Sequence, residues 1–125
     1  MDTDPHASLS TYLNFDSEQL PASLFDLFQL QTVNKETVSP LIVKTQFENI
    51  DLIPAHMSLA TLDRVMGNRG GMGLVLKKAL NALSDDYDYV LIDCPPILGV
   101  MMVNALAASH RILIPVQTEF LAMKG

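Results

Sequence analysis

Only one cysteine, Cys94, stands in 125 residues, and eight Lys or Arg face fourteen Asp or Glu. A lone cysteine excludes an internal disulfide. The formal charge of -6 argues against a surface built to neutralise nucleic-acid phosphates, since such binding draws on clustered basic residues and the densest cluster here is the pair Lys77 and Lys78. The longest apolar patch, Ile97 to Ser109, is too short to span a bilayer. No amino-terminal stretch has the charged-then-apolar form of a signal peptide. Repeats and low-complexity tracts are absent, and at 18% charged residues no segment reads as a solvated tail, which argues against disorder. These absences leave a soluble cytoplasmic protein with no membrane association as the expectation.

The apolar share is 49%, enough for a real core in one domain spanning residues 1–125. The stretch Tyr87 to Pro96, Y-D-Y-V-L-I-D-C-P-P, organises the rest. An apolar run, Val90 to Ile92, ends in a carboxylate, Asp93, and two prolines stop regular structure. Such a run suits a strand buried on both faces of a parallel sheet, where ligands collect at the carboxyl ends of strands.

The opening, M-D-T-D-P-H, reads as the end of a strand whose beginning is missing. Short helices are expected over Ala7 to Tyr12, Ala22 to Leu30 and Asn34 to Ile42, the last interrupted at Pro40. Glu48 to Pro54 reads as a second strand and Ser58 to Met66 as a helix. Gly67 to Gly73 holds four of the six glycines and precedes a helix over Leu74 to Leu83, with Leu76, Leu80 and Leu83 inward. Met101 to Ser109, apolar almost all round, predicts a buried helix, Arg111 to Val116 a third strand, and Thr118 to Lys124 the first turns of a further helix. Strands alternating with helices predict an α/β fold, a parallel sheet with flanking helices.

Asp93 is a candidate ligand for a hard cation near a phosphate, because magnesium prefers oxygen donors and keeps several waters. The competing reading is a carboxylate that caps the next helix or bonds loop amides. Asp2 and Asp4, two apart, point the same way in an extended segment; they either join Asp93 at one sheet edge or belong to a solvated terminus. The loop G-N-R-G-G-M-G lacks the Gly-Lys-Ser/Thr ending of a phosphate loop and follows no strand, so it reads as a helix-to-helix connection. Cys94, followed by two prolines without amide hydrogens, reads as a buried structural thiol. His6, His56 and His110 lack metal-ligand spacing.

Taken together these segments resemble the ParA/MinD family of deviant-Walker P-loop ATPases, and specifically its ParA branch, over nearly the whole chain. D-T-D-P-H-A-S-L-S looks like the family's D-x-D-P-Q segment. I-D-L-I-P-A-H-M-S-L-A looks like a family strand and helix, and Y-D-Y-V-L-I-D-C-P-P like the Walker B strand. V-N-A-L-A-A-S-H-R-I-L-I-P-V-Q-T-E-F-L-A-M-K-G is similar to the helix, strand and helix start that follow it.

The resemblance implies a P-loop NTPase fold of the SIMIBI type, incomplete here, with ATP and Mg2+ as the parent family's cofactors. It implies that Asp93 holds magnesium through water, that Asp4 positions or polarises the attacking water, and that Asp2 supports the magnesium shell. Gln117, Thr118 and Glu119 would lie at the mouth of the same edge. His6 stands where the family usually has Gln. The family's K-G-G-x-G-K-T-T phosphate loop is not among these residues, so the chain looks like a middle piece without ATPase activity of its own, marginal alone and inclined to self-associate. The implied function is nucleotide-dependent partitioning or positioning of plasmids, chromosomes or chemoreceptor arrays. The implied partners are a second copy in a homo-oligomer, a ParB-like or other adaptor, and non-specific DNA bound through regions outside these residues. The alternative is a non-catalytic interaction module pairing with a full-length ParA-like partner.

Overall fold

The computed structural model describes residues 1–66 and 70–118. Helices α1 (Ser8–Tyr12), α2 (Leu24–Leu27) and α3 (Lys35–Val38) precede strands β1 (Val43–Lys44) and β2 (Asp51–Leu52). Helices α4 (Leu62–Met66), α5 (Val75–Ala82) and α6 (Val100–Ala108) follow. Tight 3-10 turns at Ser39–Leu41, Met57–Thr61 and Met72–Leu74 lead out of α3 and into α4 and α5.

The short helices begin where side chains satisfy their free amides. Ser23 accepts from the Phe25 amide at 3.2 Å while Asp26 takes the Ser23 amide at 2.7 Å, a reciprocal cap that opens α2. Asn34 and Thr37 do the same for α3 at 2.9 and 3.0 Å. Pro40 turns α3 into its 3-10 extension, the interruption expected there. Helix α2 covers only the centre of the expected 22–30 segment.

Helix α5 packs against α3 and α6. Its inward side is Val75, Leu76, Ala79 and Leu83, continuous with Leu24, Leu27, Val38 and Leu59 in one core. Buried Asn104 of α6 joins these helices through polar contacts. Its Oδ1 accepts the Leu76 amide at 3.1 Å and its Nδ2 donates to the Met72 carbonyl at 2.7 Å. The incoming glycine loop lies close to α6: a Cβ on Gly73 would meet Val103 Cγ1 at 3.2 Å. Gly71, with φ of 86°, takes the left-handed turn that lets the chain enter α5. Gly67 to Arg69 lie outside the described residues.

Sheet structure departs from expectation in three places. First, β2 is shorter than 48–54 and pairs antiparallel with β1, Val43 opposite Leu52, in a hairpin whose turn uses Asn49 at φ 62°. Second, residues 87–93 make a parallel ladder only at their end. The Asp93 amide donates to the Met1 carbonyl at 3.0 Å and the Thr3 amide to the Asp93 carbonyl at 2.9 Å. Tyr89 is 90% exposed rather than buried on both faces. Third, residues 111–118 run without helix or ladder, and Leu113 and Ile114 are exposed. In the second and third places the backbone lacks ladder partners among the described residues: 87–93 is paired only by Met1–Thr3, and 111–118 by none. Helix α6 is also not buried all round, for Val103 and Leu106 face outward. The chain is α/β with helices flanking a small sheet, and its parallel register is set where residues 1–3 meet 91–93.

Candidate functional site

The segment 1–3 lies between two others. On one side it meets 91–93; on the other, the Asp2 amide donates to the Ile53 carbonyl at 3.0 Å. A turn follows, closed by the Ala7 amide on the Asp4 carbonyl at 2.9 Å, with Ala7 in the left-handed region at φ 54° before α1 starts. That placement brings Asp4 and Asp93 to the same edge.

Asp2 is fully buried and its carboxylate is engaged. Oδ1 accepts the Asp4 amide at 3.2 Å, and Oδ2 accepts the Ser10 amide at 2.8 Å and the Ser10 hydroxyl at 2.7 Å. Ser10 Oγ in turn accepts the Ala55 amide at 3.1 Å. One buried network therefore ties the end of the 1–3 segment, α1 and the chain leaving β2. Ser10 was not visible as a site residue in the sequence; its only signal is a small hydroxyl eight positions after an acid that the fold buries.

Asp4 is 17% exposed at its side chain. Its Oδ1 accepts both the His6 amide at 2.9 Å and the His6 Nδ1 at 2.8 Å, while the His6 ring stands in solvent. Asp93 lies more open. Partial burial raises its pKa above the ordinary carboxylate value, and the nearby charges of Asp2 and Asp4 push in the same direction. A cation would favour the ionised form that burial first, and the neighbouring acids second, disfavour. Cys94 is half-buried and its thiol is raised by burial, in keeping with a structural rather than reactive role.

Among the described residues no group of three or more His, Cys, Asp or Glu forms a metal cage. Magnesium does not require one: one or two carboxylates, with water and phosphate oxygens, suit its octahedral preference. The oxygen donors at Asp93, flanked by Asp4, fit that ion. Gln117 and Thr118 are exposed in a segment without helix or ladder, and Glu119 lies outside the described residues with the expected helix to Lys124. His56 caps the Met57–Thr61 turn, its Nδ1 accepting the Ser58 amide at 3.1 Å, and His110 is exposed.

The AAA domain family model, AAA_31, matches residues 1–125. The chain belongs to the ParA/MinD family. The sporulation initiation inhibitor protein Soj of Bacillus subtilis is 35% identical to this ParA-type chain over 125 residues, covering 100% of the chain and 48% of Soj. The chromosome partitioning protein ParA of Caulobacter vibrioides is 35% identical over 127 residues, 46% of its length. Among solved structures, a cobyrinic acid a,c-diamide synthase from Mycobacterium smegmatis with bound ATP analog and magnesium superposes with a TM-score of 0.87. It is 37% identical over 97% of this chain and 48% of that one. A putative plasmid partition protein from Borrelia burgdorferi bound to AMPPNP gives a TM-score of 0.78 at 26% identity, over 98% of this chain and 51% of that one. The ParA-type chain thus spans about half the length of the relatives it matches.

Proposed function

We propose that this chain supplies the magnesium-binding and water-positioning carboxylates of a ParA-type ATPase that partitions or positions DNA or a large protein cargo. The observation that carries this reading is the parallel pairing of residues 1–3 with 91–93, which delivers Asp4 and Asp93 to one edge. Asp93 holds Mg2+ through water, and Asp4 orients the attacking water with the carboxylate oxygen not taken by His6. Asp2 supports the site from behind, because both its oxygens are committed to the turn that presents Asp4. Magnesium supplies charge neutralisation at the transferred phosphate. A second copy, a ParB-like adaptor and non-specific DNA are the partners this reading assigns to the whole protein, along with a cytoplasmic location.

The test is Mg2+-dependent ATP hydrolysis by the protein that carries this segment together with a phosphate loop. Asp4→Ala and Asp93→Ala should each lower the rate by about 10²-fold or more. Unchanged rates in both variants overturn the assignment. The 125 residues by themselves hold no Gly-Lys-Ser/Thr loop and are expected to show no hydrolysis. A second reading is a non-catalytic module pairing with a full-length ParA-like partner. Magnesium-dependent turnover by the 125 residues, abolished in Asp93→Ala, counts against both expectations.

A further inference from the structure

Helix α1 begins without a cap of its own, because its N-cap position is Ala7, whose side chain has no acceptor. The free amide of Ser10, the third residue of the helix, goes instead to Asp2 Oδ2 at 2.8 Å. The Ser10 hydroxyl donates to the same oxygen at 2.7 Å. That hydroxyl also accepts the Ala55 amide at 3.1 Å, which fixes its direction: its single proton is left for Asp2. Asp2 and Ser10 are both fully buried, so a carboxylate removed from water depends on these donors to hold its charge and its orientation.

The other Asp2 oxygen, Oδ1, accepts the Asp4 amide at 3.2 Å. Hydrogen bonds therefore run from the Ala55 amide through Ser10 and Asp2 to the backbone of Asp4. Asp93 is placed by different contacts. Its amide donates to the Met1 carbonyl, and its carbonyl accepts the amide and the hydroxyl of Thr3. The set that places Asp4 passes through Ser10, and the set that places Asp93 does not.

We propose that Ser10 is a positioning residue for ATP hydrolysis. Its hydroxyl fixes the Asp2 carboxylate, and through it the turn that aims Asp4 at the attacking water. The inference rests on the reading of Asp4 as the water-orienting acid and adds a residue that acts through it. Its signature is a loss confined to turnover: a small misplacement of an orienting group slows the chemical step, while nucleotide and magnesium, held elsewhere, still bind.

The test uses the protein that carries this segment together with a phosphate loop, with rates counted per nucleotide-binding site so that unfolded molecules drop out. Ser10→Ala should lower kcat by about tenfold or more and leave KM for ATP within about twofold. Ser10→Thr, which keeps the hydroxyl, should recover most of the rate, and Ser10→Cys, close in size but a weak donor, should not. Without nucleotide, Ser10→Ala should speed amide exchange at Asp4 and leave the Thr3 amide, which bonds the Asp93 carbonyl, as it was. Added to Asp4→Ala, Ser10→Ala should slow the rate no further, since the acid it positions is already gone. A slow Asp4→Ala beside an unchanged Ser10→Ala overturns this proposal and spares the reading of Asp4. Additive losses in the double variant, or a KM that rises as kcat falls, overturn it as well. An unchanged rate in Asp4→Ala overturns that reading, and the proposal with it.

Discussion

Two stretches of nearly the same sequence meet opposite fates in this molecule. I-D-L-I-P at 50–54 places Leu52 at 2% exposure, whereas I-L-I-P at 112–115 leaves Leu113 at 81% and Ile114 at 79%. Their β propensities and apolar content are alike, so neither decides the outcome. The first stretch has β1 on one edge and the Asp2 amide on the other. The second has no ladder partner among the described residues. Burial of a strand in this fold follows from who stands beside it, and local sequence cannot say.

The broadest way to break that contrast is to shorten the same side chain in both places. Leu52→Ala should lower stability to urea by about 2–5 kcal/mol, through lost transfer energy and the cavity left behind. Leu113→Ala should stay within about 0.5 kcal/mol of the parent chain, since it removes a side chain already in water. Comparable losses in the two variants mean that residues 111–116 are covered in solution.

A smaller effect sharpens why the first stretch is held. Ser10→Ala removes both the hydroxyl donated to Asp2 and the acceptor of the Ala55 amide, leaving buried polar groups unpaired. A loss of about 1–3 kcal/mol is expected, with faster exchange at the Ala55 amide. Loss of stability with the Ala55 amide still protected places the effect elsewhere than in this network.

Helices were the legible part of the sequence, because their signals are local. The spacing of Leu76, Leu80 and Leu83 and the break at Pro40 each act within a few residues of themselves, whereas the caps at Ser23 and Asn34 show only in the structure. The strands were legible as apolar runs but not as ladders. Val43–Lys44 is too short to show alternation, and nothing in Y-D-Y-V-L-I-D states how many neighbours it has. For the site, the acids Asp2, Asp4 and Asp93 stood out as residues, and their convergence at one edge follows from the 1–3 to 91–93 pairing. Their division of labour did not show. That Asp2 turns inward to Ser10 while Asp4 engages His6 depends on the left-handed Ala7 and the turn it closes.

The smallest effect concerns Asp93, at the one place where the satisfied and unsatisfied regions meet. A carboxyl whose folded pKa lies above its unfolded value binds its proton more tightly in the folded state. Its ionisation therefore costs stability: nothing below the unfolded value, more through the window up to the folded value, and the full amount above it. Burial first, then Asp2 and Asp4, raise Asp93 in this way. Asp93→Asn, neutral at every pH, should accordingly raise the urea midpoint slightly at pH 7, and the gain should vanish as pH falls through the ordinary aspartate range. A midpoint that drops at pH 7 means that the Asp93 charge is already compensated and the edge is not acidic in the sense described. Millimolar Mg2+ offers a further separation, because a cation at this edge stabilises the parent chain and not Asp93→Asn, and so narrows the gap between them. The same acid would then lower the stability of the apo chain and hold the ion, which is the trade expected where a fold keeps a charged group for binding rather than for its own cohesion.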